Sequence, residues 1–335
     1  MSKRLSKFAA AAAIYAALAV YLYQPYFKNF DKLQYLLVAN VCIGALGCFL
    51  LSRRWVAAFW GSLFAGAIYG FGPFALGLAK FHPTAGLLAA VMPWLFCPAA
   101  LCTKAKWRWL SWPLSALPFL AILLFFQMST HYRLFAISIQ TKLRLADLAG
   151  LLAPLVIAER STTLIGFYHI PIAALMMGLS MLIMARRFGI MMILAIGTIL
   201  AFCDSVLNTS PIIWLAMPVL CCSVLIGAGM QGLVCAGSAD RKCVLMSAVI
   251  MVVLSLASLL LATKYYQIFA GLGVKHAKLF VQTAKMYILG TMAVAIIFFM
   301  ARAKLRVAAL RWGILCSAVA VDIFLGASFI VDRIL

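Results

Sequence analysis

The chain has 335 residues, of which 67% are hydrophobic and only 10% charged. An ordinary soluble domain carries roughly 25% charged residues and about half apolar ones, so water is excluded as the solvent for most of this surface. Twenty-eight Lys and Arg against seven Asp and Glu give a net charge of +21, yet no run of five basic residues exists. The basic residues stand in twos and threes between apolar runs, which is the pattern of membrane topology rather than of nucleic-acid binding.

The chain opens on MSKRLSKF followed by a long apolar run. With about twenty apolar residues and no polar stretch after a small-residue cleavage site, it reads as a retained first span rather than a cleaved signal. Apolar runs of span length then recur, giving eleven expected spans at 8–27, 34–51, 55–79, 84–102, 109–127, 163–184, 188–207, 211–235, 243–263, 286–301 and 308–331. The tenth is short and is expected to extend backward into 277–285. The expectation is one all-α transmembrane domain.

The loops orient it. With Lys3, Arg4 and Lys7 in the cytoplasm, the same side receives Arg53 and Arg54, then Lys104, Lys106 and Arg108, then Arg186 and Arg187. Arg241 and Lys242, and finally Arg302, Lys304 and Arg306, follow on that side. The alternation holds across all eleven expected spans, so the N-terminus is placed in the cytoplasm and the C-terminus outside. The expected location is a plasma membrane, the inner membrane of a bacterial cell.

Two outer segments break the short-loop pattern. In 129–162, Arg133, Gln140, Arg144 and Asp147 are spaced 7, 4 and 3 apart, within about 60° of one another on a helix. In 264–285, Lys275, Lys278, Gln282 and Lys285 are spaced 3, 4 and 3. Each stripe is expected on an amphipathic helix at the outer surface. Such helices are interfacial anchors with snorkelling Lys and Arg, or they form a basic vestibule for an anionic substrate or lipid headgroup. The stretch 148–158, with Pro154, has the length of a segment that dips into the membrane and returns.

Charge within an apolar span is costly and marks candidate function. Asp322 lies near the middle of the last expected span, and Asp204 lies toward the outer end of the seventh. The alternative for Asp322 is a structural acid, protonated or paired with a basic residue of a neighbouring span. All four histidines, His82, His131, His169 and His276, fall on the expected outer side. His131 and His276, with Asp147, are the candidate general bases. Gly61, Gly66, Gly70 and Gly72 allow close packing in the third span, and Gly72-Pro73 is expected to kink or break it.

The ten cysteines form no C-x-x-C pair and have no histidine at ligand spacing, so they read as small apolar residues. No phosphate-binding GK[ST] loop, H-E-x-x-H helix or G-x-S-x-G elbow is present. No metal or cofactor is expected. The leading functional expectation is a transporter or flippase for an anionic or lipid-linked substrate, with Arg133, Arg144, Lys275, Lys278, Asp204 and Asp322 as binding residues. A membrane transferase using a phosphate-linked lipid donor at the outer face is the second, with Arg133 and Arg144 clamping phosphate. An assembly subunit of a larger membrane complex is the third. The expected partners are anionic membrane lipids, with other membrane subunits under the third reading.

Overall fold

The computed structural model describes residues 2–30, 34–54, 56, 58–81, 83–101, 148, 150–159, 166–185, 188–204, 210–237, 240–270, 275–303 and 307–335, with scattered positions between 113 and 143. Among these, all regular structure is helical. The helices are α1 (Ser2–Tyr23), α2 (Tyr35–Ser52), α3 (Phe59–Gly70), α4 (Pro73–Phe81), α5 (Pro83–Leu101), α6 (Pro154–Glu159), α7 (Pro171–Met184), α8 (Phe188–Phe202), α9 (Ala216–Cys235), α10 (Arg241–Ala270), α11 (Lys275–Arg302) and α12 (Ala308–Ile334). Short 3₁₀ segments, Gln24–Asn29 and Pro211–Leu215, follow α1 and precede α9.

Among the described residues, seven helical segments are long and apolar enough to cross a membrane, and three shorter apolar helices accompany them. This architecture is consistent with a helical membrane protein. Ten of the expected spans overlap a helix named above; 109–127 lies largely outside the described residues, and the positions described there, among them 120–124, are helical.

The break expected at Gly72-Pro73 is present within the apolar segment Phe59–Leu78: Pro73 has no N–H to continue α3 and restarts the chain as the first residue of α4. Two other expectations are revised. Among the described residues of the expected span 163–184, the helix begins at Pro171, with Gly166, Phe167 and Tyr168 outside it. The expected outer helix in 264–285 is absent as a separate element. No glycine or proline interrupts α10 before Gly271 and Gly273, so it runs on to Ala270, and α11 starts at Lys275. Lys278, Gln282 and Lys285 therefore stand on the first turns of a long helix. The corresponding stripe in 129–162, with His131, Arg133, Gln140, Arg144 and Asp147, lies outside the described residues.

The centre of the bundle is α2, α3 and α9, joined by α5 and α7. Close approach there depends on missing side chains. A Cβ on Gly227 of α9 would meet the Gly61 carbonyl oxygen of α3 at 2.6 Å. One on Gly229 would collide with the Ala174 carbonyl of α7. Without a hydrophobic force between helices in lipid, such backbone contact is what holds them. Buried tyrosines add cross-links: Tyr15 Oη donates to the Leu63 carbonyl at 2.7 Å, and Tyr69 Oη to the Ala89 carbonyl at 2.5 Å.

One end of the bundle gathers the start of α3, the end of α9 and the start of α12. The Ala58 N–H donates to Gln231 Oε1 at 3.1 Å. Arg311, 3% exposed, donates through Nη1 to the carbonyls of Val234 (3.0 Å) and Ala236 (2.8 Å). A cation on the last carbonyls of α9 both caps the helix and opposes its dipole. At the other end, Tyr26 Oη donates to Asp332 Oδ1 at 2.6 Å.

Candidate functional site

Asp322 stands about 21 Å along α12 from Ala308 and about 18 Å from Ile334, so it lies at mid-depth of the helix. It is 1% exposed, and its partner comes from the interrupted segment before α7. His169 Nδ1 lies 2.9 Å from Asp322 Oδ1, and the Ile170 N–H donates to Asp322 Oδ2 at 2.8 Å. Both carboxylate oxygens are thus engaged. Ile170 is the N-cap of α7, so the carboxylate sits against the positive end of that helix dipole. A basic residue of another segment, His169, is thus paired with this acid.

Local sequence explains the geometry. Pro171 at the first helical position sacrifices an N–H that would have no intrahelical partner, and fixes where α7 begins. Upstream, Gly166 passes so close to Gly150 that a Cβ would collide with the Gly150 carbonyl. Residues 166–170 are all buried. Irregular backbone at membrane depth is tolerated only where protein covers it and supplies its hydrogen bonds.

The supply is specific. Tyr168 Oη donates to the Phe71 carbonyl, which lies in the gap between α3 and α4. A Cβ on Gly326 of α12 would collide with the Tyr168 ring, so glycine makes room for that tyrosine. Tyr287, about 18 Å along α11 from Lys275, packs edge-on against the His169 ring with centroids 4.9 Å apart. Its hydroxyl donates to the Leu152 carbonyl at 2.7 Å. The turn Gly150–Leu152 therefore reaches the depth of Tyr287, while α6 packs against Leu279 and Phe280 near the α11 start and Phe329 of α12.

Three chain interruptions meet here: Phe71–Gly72, Gly150–Leu152 and Gly166–Ile170. One buried side-chain polar atom among them has no partner within the described residues. His169 Nε2 is buried and makes no hydrogen bond. Groups of three or more metal-ligating side chains are absent among the described residues, so the pair has no third ligand for a metal.

The other sequence candidates are elsewhere. Asp204 is exposed just beyond the end of α8, and Lys278 is exposed on α11. Lys275 and His276 occupy the first turn of α11, and nothing is described of their side chains. His131, Arg133, Arg144 and Asp147 fall outside the described residues. Among the described candidates, Asp322 is at the junction. His169, one of the four histidines expected on the outer side, joins it there, and Arg311 is a buried charge that the expected span pattern does not single out. The available signals were a histidine two residues before Pro171 and an arginine three residues inside an apolar run.

No protein family model matches this chain, and no match was found among curated proteins or solved structures.

Proposed function

We propose that this protein is a secondary transporter whose central site is the junction of the three chain interruptions. The observation that carries the reading is the buried His169–Asp322 pair at mid-depth of α12, between the broken α3–α4 segment and the start of α7. Transporters commonly place substrate sites near the midplane, where discontinuous helices offer free backbone groups and helix ends. Buried ionisable pairs at that depth mark ion or substrate pathways. In this reading the basic end of the bundle, with Arg53, Arg54, Arg241, Lys242 and Arg302, faces the cytoplasm in an eleven-span topology. The substrate is an anionic or lipid-linked solute, attracted by basic residues of the outer segments such as Lys278 and Lys285.

The test needs no known substrate. Single cysteines replacing Phe71 or Ile170, in a protein freed of its native thiols, are exposed to membrane-impermeant thiol reagents from each side of sealed vesicles. Alternating access predicts modification from both sides. Modification from the outer side alone would favour the transferase. A folded protein modified from neither side would overturn the transport reading and favour an assembly subunit.

A further inference from the structure

We propose that the His169–Asp322 pair binds one proton, and that His169 Nε2 is the atom that takes it. The inference deepens the transport reading by naming the coupling ion. Asp322 accepts two hydrogen bonds, from His169 Nδ1 and from the Ile170 N–H. With the carboxylate ionised, Nδ1 is the donor nitrogen, and the neutral ring then keeps its lone pair on Nε2. Protonating a carboxylate oxygen would weaken the acceptor that both of these bonds use. Protonating Nε2 disturbs none, because that atom has no partner among the described residues.

Charge argues in the same direction. Before proton binding the junction holds one net negative charge at mid-depth. Afterwards it holds an imidazolium–carboxylate pair with no net charge. The proton comes from solvent, occupies the Nε2 lone pair, and returns to solvent on release, so no other reactant is required.

Among the described residues, the titratable groups around the pair are few. Tyr287 faces the ring from α11, Tyr168 is its chain neighbour and donates toward α3–α4, and Tyr23 of α1 lies near Tyr168. None supplies a second negative charge at neutral pH. One turn closer to the α11 start, on the face that carries Tyr287, Thr283 is fully buried and its hydroxyl has no partner among the described residues. A hydroxyl both donates and accepts, which suits it to pass a proton toward the end that carries the exposed Lys278. An anion is then favoured at the junction only after His169 has taken its proton, which would couple the two movements.

The experiment is ¹⁵N NMR of histidine-labelled protein in lipid nanodiscs, across about pH 4 to 9, the range that brackets imidazole titration. One histidine should keep Nδ1 protonated throughout while Nε2 gains its proton as pH falls. Proximity to the Tyr287 ring assigns it in the native protein, and loss of the signal in His169→Gln checks the assignment. Asp322→Asn keeps the shape but removes the charge, and should weaken proton binding on the order of tenfold or more. Thr283→Val should slow proton exchange without changing the affinity. An Nε2 that never titrates, or titrates identically in Asp322→Asn, would overturn the proposal. Titration without two-sided access at Phe71 and Ile170 would leave the proton site standing and remove the transporter. Two-sided access without titration would do the reverse.

Discussion

The α10–α11 hairpin and the α3–α4–α7 junction are both built from apolar sequence, and they use it in opposite ways. In Phe59–Leu78, 94% of the best apolar window is buried in the protein, against 28% in Arg241–Thr263. The hairpin helices are long and unbroken, pack mainly on each other, and turn Met246, Val253, Leu256 and Leu260 outward. They satisfy their own backbone internally and need only an apolar solvent around them. The junction helices break, and each break is matched by a side chain from elsewhere in the chain: Tyr168, Tyr287 or Asp322. Interruption is confined to places where the bundle itself provides the missing partner.

Substitutions should therefore cost most where an interruption loses that partner. Asp322→Ala leaves both His169 Nδ1 and the Ile170 N–H without an acceptor. We expect a loss of about 3–5 kcal/mol, the range for removing one member of a buried pair, read as a lowered unfolding midpoint in detergent. Asp322→Asn, which retains a carbonyl acceptor, should lose clearly less. A result equal to that of Asp322→Ala would mean that charge, not hydrogen bonding, holds the start of α7.

Gly229→Ala comes next. Its Cβ would collide with the Ala174 carbonyl, and overpacking of this kind costs about 1–3 kcal/mol. Tyr168→Phe removes only the bond to the Phe71 carbonyl and should cost about 0.6–1.7 kcal/mol, the span seen for polar contacts between helices in bilayers. The smallest effect belongs to the hairpin: Leu260→Ala, 68% exposed, should change stability by less than about 0.5 kcal/mol. A large loss at Leu260 would break the comparison, since it would mean that protein rather than lipid covers that face.

Much of this contrast was legible in the sequence, because hydropathy and proline report on local backbone. Apolar length gave the helices, Gly72-Pro73 gave the break between α3 and α4, and the depth of Asp322 followed from its place in the last apolar run. The partner did not follow. His169 and Asp322 are 153 residues apart, and nothing local to either says that they touch. The gap at 166–170 escaped because Gly166-Phe-Tyr-His-Ile is apolar enough to pass as the start of a span, and only burial by other helices lets it remain uncoiled. Arg311 escaped because a charge one turn inside an apolar run looks like a side chain reaching back to water. Its guanidinium turns inward instead, to the end of α9.

Arg311 and Asp322 are 11 residues apart on α12, which puts them within about 20° of each other on one face and about 16 Å apart along it. One closes the C-terminal end of α9 and the other the N-terminal end of α7. A chain is made from its N-terminus onward, so α7 and α9 leave the ribosome well before α12. Val234 waits 77 residues for Arg311, and Ile170 waits 152 for Asp322. Through that interval the two helices enter the bilayer with frayed ends, and a nascent chain arrested before α12 would expose them to insertion chaperones and membrane proteases.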